Sequence, residues 1–269
     1  MLFYGTVREL SDFLAGRGRN LDLDEAALHL ATVEFPGLDS EPFLEILDSY
    51  AAELGNRLRA GQSFIPAANQ YLFTEMGFAG NSADYYNPSN SCLNEVLTSR
   101  TGIPITLSVV YMEVARRLGQ PVFGIGLPGH FIVQYDDGLS GIYLDPFHEG
   151  RVLEPSDCYE LAGAGPDPSL LARVDKRQIV IRMINNLRGI YFSRGAHRKT
   201  VQILNMLLDA DPEAAEEYKQ RAIAYLHMEQ TRAAKTDFER YLELRPEAAD
   251  RGQIEKQLTA LKRWLVGMN

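Results

Sequence analysis

Apolar residues between Leu23 and Leu58 recur at helical spacing: Ala27, Leu30 and Ala31, then Phe43, Leu44, Leu47, Leu54 and Leu58. Phe35-Pro36-Gly37 divides the run into two helices, and residues 64–77 predict another, with Leu72 and Phe73 inward. The stretch "GFAGNSADYYNPSN" that follows is dense in turn residues and reads as a loop, after which Leu93, Val96 and Leu97 restart a short helix. "GIPITLSVVYMEVARRLG" differs from all of these, because Ile105, Leu107, Val109, Val110, Met112, Val114, Ala115 and Leu118 leave few polar positions on any face. Such a helix is buried nearly all round. Pro104 suits its first turn, where a missing N–H costs nothing, and Gly119 suits its C-terminal end.

Beyond that helix the period changes. "PVFGIGL", "FIVQY" and "GIYLDPF" are short β-rich runs separated by Pro-Gly and Asp-Asp-Gly, the pattern of an antiparallel meander. A buried helix packed on a small sheet is an α+β layout. Residues 162–169, "AGAGPDPS", have linker composition, and from there to the end the pattern is helical. The spacing therefore predicts one domain over residues 1–165, with a helical layer to residue 88 and a helix-plus-sheet core over 89–165, and an all-α domain over 170–269.

The second domain contains an internal repeat. Setting Asp211-Pro212 against Arg245-Pro246 gives an offset of 34 residues, which also pairs Tyr191 with Tyr225, Leu204 with Phe238 and Leu208 with Leu242. That period, with a Tyr, a later large apolar residue and a closing Pro, resembles the tetratricopeptide repeat. The first copy keeps Leu187 and Gly195 but has Arg188 where the family usually has Gly, and the second has Arg221 and Ala222 at the Leu-Gly pair. Two copies are fewer than such arrays need to stand alone, so residues 250–266 are expected to act as a capping helix ending near Trp264.

Charge narrows the partners. A net charge of −9 argues against a nucleic-acid or anionic-membrane binder, which needs clustered Lys and Arg. Residues 173–200 run the other way, with eight Lys or Arg against the single Asp175. They read either as a solvated helix face or as a surface for an acidic segment, in which case Arg177, Arg182, Arg188, Tyr191, Arg194, Arg198 and Tyr225 are the candidate partner-binding residues. The first twenty residues have no apolar leader core, no run approaches a membrane span, and two cysteines are too few for a disulfide scaffold, so a cytoplasmic location is expected. No Gly-rich phosphate loop, H-E-x-x-H motif or cluster of metal ligands appears, so neither cofactor nor metal is expected.

The chemistry concentrates in "LPGHFIVQYDDGLSGIYLDPF", where His130 and Asp145 stand on neighbouring strands. The order of buried helix, His strand and Asp strand resembles that in which transglutaminase-like and papain-like folds assemble a Cys-His-Asp site. There the helix dipole and imidazolium stabilise a thiolate, while the carboxylate fixes the imidazole tautomer. In that superfamily the Cys lies about four helical turns ahead of a Gly-x-Pro, and counting back from Gly119-Gln120-Pro121 reaches Pro104, which has no nucleophile. "LFTEMGFAGNSADYYNPSNSCLNEVLTSRTGIPITLSVVYMEVARRLG", "LPGHFIVQY" and "YLDPFHEGRVL" further resemble the bacterial SirB family, which joins a transglutaminase-like core to a tetratricopeptide-like tail. The resemblance runs from about Ala26 to the C-terminus and implies a vestigial triad of Pro104, His130 and Asp145.

Each candidate carries an ordinary reading beside the chemical one. His130 is either a structural histidine or lines the inherited cleft, and Asp145 either caps the turn at Pro146 or pairs with the imidazole. Cys92 packs as a small apolar group or approaches His130 as an alternative nucleophile, Cys158 is structural, and Thr106 and Ser108 either back-bond to their helix or stand in for the thiol. "NPSNS" and Asn94-Glu95 border the cleft or serve as turn and cap residues. The two functions in view are a catalytically degenerate scaffold for a protein or peptide, and a thiol-dependent amidase, peptidase or acyl transferase using Cys92 with His130 and Asp145.

Overall fold

The computed structural model describes residues 2–139 and 141–267. The chain divides into two compact units, Met1–Val7 with Asn20–Met183, and Arg8–Arg19 with Ile184–Asn269. Helix α1 (Leu2–Leu14) opens the chain, followed by α2 (Leu23–Ala31), α3 (Glu41–Arg59) and α4 (Phe64–Asn69), which continues into a π-helical turn over Gln70–Glu75. Strand β1 (Ala79–Gly80), α5 (Leu93–Ser99), strand β2 (Thr101–Gly102) and α6 (Pro104–Arg117) come next. The meander is β3 (Val122–Ile125), β4 (Ile132–Asp136) and β5 (Gly141–Asp145), extended by β6 (Arg151–Leu153), with α7 (Pro155–Leu161) and β7 (Arg173–Val174) after it. The helices α8 (Lys176–Ser193), α9 (His197–Ala210), α10 (Ala215–His227), α11 (Thr231–Leu244) and α12 (Arg251–Gly267) complete the chain.

Helix α6 is the axis of the first unit. Every residue from Pro104 to Ala115 except Met112 is buried, as its lack of a polar face requires. It packs against α2, α3 and α5 on one side and β3 and β4 on the other. Gly119 ends it with φ +65°, the left-handed cap that glycine adopts without strain. At this end Arg116 and Arg117 meet a buried acidic pair, with Arg117 2.6 Å from Asp24 and 3.1 Å from Glu113. Burial, then the Asp24 charge, push the Glu113 carboxyl up to about 7 against the pull of Arg116.

The five-stranded sheet has the order β6-β5-β4-β3-β7, antiparallel wherever strands pair. Alternation along the strands puts the cross-strand pair Val133 and Leu144 on one face and Ile132, Gln134 and Tyr143 on the other. A second apolar cluster of Ile125, Leu127, Ile132, Leu153 and Cys158 is packed over by Tyr143, Leu161, Leu170 and Leu171. Residues 162–169 therefore do not behave as the linker their composition suggests. Leu170 and Leu171 return to the sheet and β7 pairs with β3, so the first unit continues to Met183.

In the second unit the repeat has a structural counterpart. Helices α9 and α11 begin and end 34 residues apart (197 and 231, 210 and 244). Leu204 and Phe238, paired by that offset, are both fully buried. The turns before these helices also correspond: Gly195 has φ +65°, and Glu229, 34 residues on, has φ +57°. The second copy thus holds a left-handed residue without glycine. Helix α12 adds Ile254 and Leu258 to the core of Ala222, Phe238 and Tyr241, in keeping with a capping role.

Candidate functional site

His130 is set by a turn rather than by a strand. His130 N–H bonds the Leu127 carbonyl at 3.3 Å, and Gly129 between them has φ +70°. This is the type II geometry that a Pro-Gly pair favours. The Arg182 guanidinium donates to the carbonyls of Leu127 and His130, tying both ends of the turn to α8. Residues 176–183 of that helix belong to the first unit.

Asp145, the last residue of β5, is buried and carries both roles open to it. One oxygen, Oδ1, accepts the Phe147 N–H at 3.0 Å and so caps the 3-10 turn Pro146–His148. The other, Oδ2, lies 2.9 Å from His130 Nε2 and 2.7 Å from His148 Nδ1. An ionised carboxylate only accepts, so both imidazoles present N–H there, and in the neutral ring His130 Nδ1 is left as the basic nitrogen. Burial alone raises the Asp145 carboxyl, but hydrogen bonds and charge from His130 and His148 outweigh it and hold the group below its ordinary value.

His148 went unnoticed in the sequence, although the spacing Asp145-Pro-Phe-His148 contains it: a 3-10 turn has three residues per turn and eclipses positions i and i+3. Its side chain is 54% exposed, against 11% for His130. The Phe147 ring stands edge-on to His130 at 5.9 Å and to Tyr85 at 6.3 Å, giving the imidazole an aromatic wall. A Cβ on Gly80 would lie 2.7 Å from the Phe147 carbonyl oxygen, so only glycine lets β1 approach this turn.

Helix α6 packs against the 3-10 turn Pro146–His148. Pro104 is the first residue of α6 and is buried. The Thr106 hydroxyl donates to the Asn90 carbonyl at 2.7 Å and accepts the Ile103 N–H at 3.1 Å, so it is occupied in holding the loop to the helix. The Ser108 hydroxyl is buried and makes no hydrogen bond.

The transglutaminase-like superfamily pattern matches residues 41–185, which span this whole arrangement, and a tetratricopeptide repeat pattern matches residues 187–259. The chain belongs to the transglutaminase-like superfamily. Within it, a "UPF0162 protein" of Xylella fastidiosa is 34% identical over 255 residues, covering 90% of each chain. A protein of the same name from Pseudomonas aeruginosa is 29% identical over 247 residues, covering 89% of this chain and 90% of its own. The mouse F-box only protein 21 is 35% identical over 153 residues, which are 54% of this chain and 24% of that protein. No solved structure matches.

Elsewhere in this transglutaminase-like chain the candidate residues are variously placed. Cys92 is fully buried at the N-cap of α5, its thiol 3.4 Å from the Pro88 carbonyl. Asn87 caps the 3-10 turn Pro88–Ser91, and Asn90 is buried, its amide donating to the Asp84 and Tyr85 carbonyls. Cys158 is buried in the sheet cluster, and that burial pushes its thiol up to about 11. Of the basic stretch, Arg182 is spent on the His130 turn and Arg188 pairs with Glu217 at 2.8 Å. Tyr191 is buried and Tyr225 half-buried, with the Arg221 guanidinium 5.9 Å from the Tyr225 ring centroid. Arg177, Arg194 and Arg198 are exposed. Among the described residues no helix is long and apolar enough to cross a membrane.

Proposed function

We propose that this chain is a catalytically degenerate transglutaminase-like protein of the SirB group, acting in the cytoplasm as a scaffold that binds a protein or peptide. The observation that carries the reading is Pro104 at the first position of α6, where the superfamily's thiol is expected, in a chain that keeps a hydrogen-bonded His130–Asp145 pair. Without a nucleophile the pair has a base and an orienting acid but nothing to activate. The two cysteines do not supply one readily: the Cys92 thiol is buried against the Pro88 carbonyl, and Cys158 sits in an apolar cluster with its thiolate disfavoured. The tetratricopeptide match and the net charge of −9 support a protein or peptide partner over nucleic acid.

Alkylation of the native protein by iodoacetamide at neutral pH, read by peptide mass spectrometry, tests this. Both cysteines are expected to label only as denaturant opens the fold. Rapid labelling of Cys92 in the native protein, abolished in His130→Ala, would establish the thiol-enzyme reading instead.

A further inference from the structure

We propose that His130, Asp145 and His148 together form a binding site for a divalent transition-metal ion, with zinc the best match to the donors. Asp145 and His148 stand three positions apart, His130 lies 15 positions before Asp145, and the fold brings His130 Nε2, Asp145 Oδ2 and His148 Nδ1 within 4.8 Å of one another. Two imidazoles and a carboxylate are the borderline nitrogen and oxygen donors that zinc accepts, at about 2.0–2.2 Å each. Tetrahedral ligands at those lengths stand about 3.4 Å apart. The present contacts of 2.9 and 2.7 Å to Oδ2 therefore widen by roughly half an ångström as an ion replaces the two ring protons. His148 is the ligand free to make that adjustment, being more than half exposed.

The surroundings are those of a held site. Asp145 Oδ1 is fixed by the Phe147 N–H, so this carboxylate donor is oriented by an outer hydrogen bond before any ion arrives, and Arg182 holds the backbone of the His130 turn. Buried Asp145 and nearly buried His130 form the inner wall, while exposed His148 gives entry. Three protein ligands leave a fourth position for water or for a donor from a partner. The Arg182 charge near His130 opposes a dication and limits affinity rather than chemistry. The inference does not rest on the scaffold reading, because the ion needs neither the lost nucleophile nor the tail.

The test is zinc titration of the full-length, chelator-stripped protein at pH 7.5 in competition with a chromogenic chelator, repeated with cobalt to read the ligand-field absorption of a tetrahedral site. One zinc per chain is expected, weakened at least tenfold in His148→Ala and in His130→Ala. His148→Ala is the decisive variant, because this exposed side chain can be removed with at most a few degrees' change in the metal-free melting temperature. His197 and His227 also stack, with ring centroids 4.3 Å apart, and supply the control. Binding that survives His148→Ala, binding lost instead in His197→Ala, or no saturable binding would each overturn the proposal.

Discussion

Replacing Asp145 by asparagine keeps the shape of the side chain and removes its charge. The amide oxygen still accepts the Phe147 N–H that Oδ1 now takes at 3.0 Å, so the cap survives. The NH2 group then faces two ring N–H groups that were 2.9 and 2.7 Å from a shared oxygen. Donor against donor is relieved only if each ring changes tautomer. Losing the buried charge-assisted bond to His130 costs about 2 kcal/mol, and the half-exposed bond to His148 about 1 kcal/mol or less, for a total of about 2–3 kcal/mol. At 2–4 °C per kcal/mol for a domain of this size, the melting temperature falls by roughly 4–12 °C.

The pH dependence has a fixed sign. The folded carboxyl of Asp145 lies below its ordinary value, so its contribution is complete above about pH 4 and is lost as pH falls through the lowered folded value. The Asp145 contribution to the gap between wild type and Asp145→Asn is therefore present at pH 5 and above and is lost as pH falls below about 4. Circular-dichroism melts in chelator-containing buffer across pH 3–7 read both quantities. A loss under about 0.5 kcal/mol at pH 7, or a gap that fails to narrow as pH falls from 5 to 3, would refute the reasoning.

Pro104→Cys places a thiol where the helix N-terminus lowers its pKa. It is expected to alkylate faster than Cys92 in native protein and to lose that advantage in Pro104→Cys/His130→Ala, as followed by mass spectrometry. Glu113 is raised to about 7 by burial and by Asp24, so the folded state holds a proton that the unfolded chain releases above about pH 4, and stability falls as pH rises across that window. Glu113→Gln should remove this decline and gain on wild type between pH 5 and pH 8 in thermal melts. Glu229→Gly relieves the left-handed backbone at φ +57° that the first repeat assigns to Gly195, and should stabilise the tail by about 0.5–1 kcal/mol in urea unfolding.

What the sequence conveyed follows from the range over which each signal acts. The all-round apolar run of α6, the Pro-Gly and Asp-Asp-Gly breaks of the meander and the 34-residue offset are local or periodic, and each has its counterpart in the fold. Strands β6 and β7 span three and two residues, too short for any alternation, and β7 finds β3 some fifty residues earlier. Residues 162–169 illustrate the same limit: Gly and Pro mark a reversal of the chain without saying whether contacts cross it, and Leu170 and Leu171 do cross. The His130–Asp145 pairing was open to inference from neighbouring strands, whereas the part played by Arg182, 52 residues beyond His130, was not.

The same energetics bear on which positions of this arrangement the fold itself holds in place. At the first position of a helix the backbone N–H has no intrahelical acceptor, and proline's fixed φ is already helical, so Pro104 suits the start of α6. Asp145 has several roles. It caps the turn that packs on α6, anchors His130 and receives His148. Removing it sacrifices about 2–3 kcal/mol of a net stability on the order of 5–15 kcal/mol. The carboxylate is thus held by more of the structure than the side chain at the first position of α6. The bare presence of a His-Asp pair therefore carries little weight as a sign of catalysis in this fold, and the decisive observables are the reactivity of a thiol and the binding of an ion.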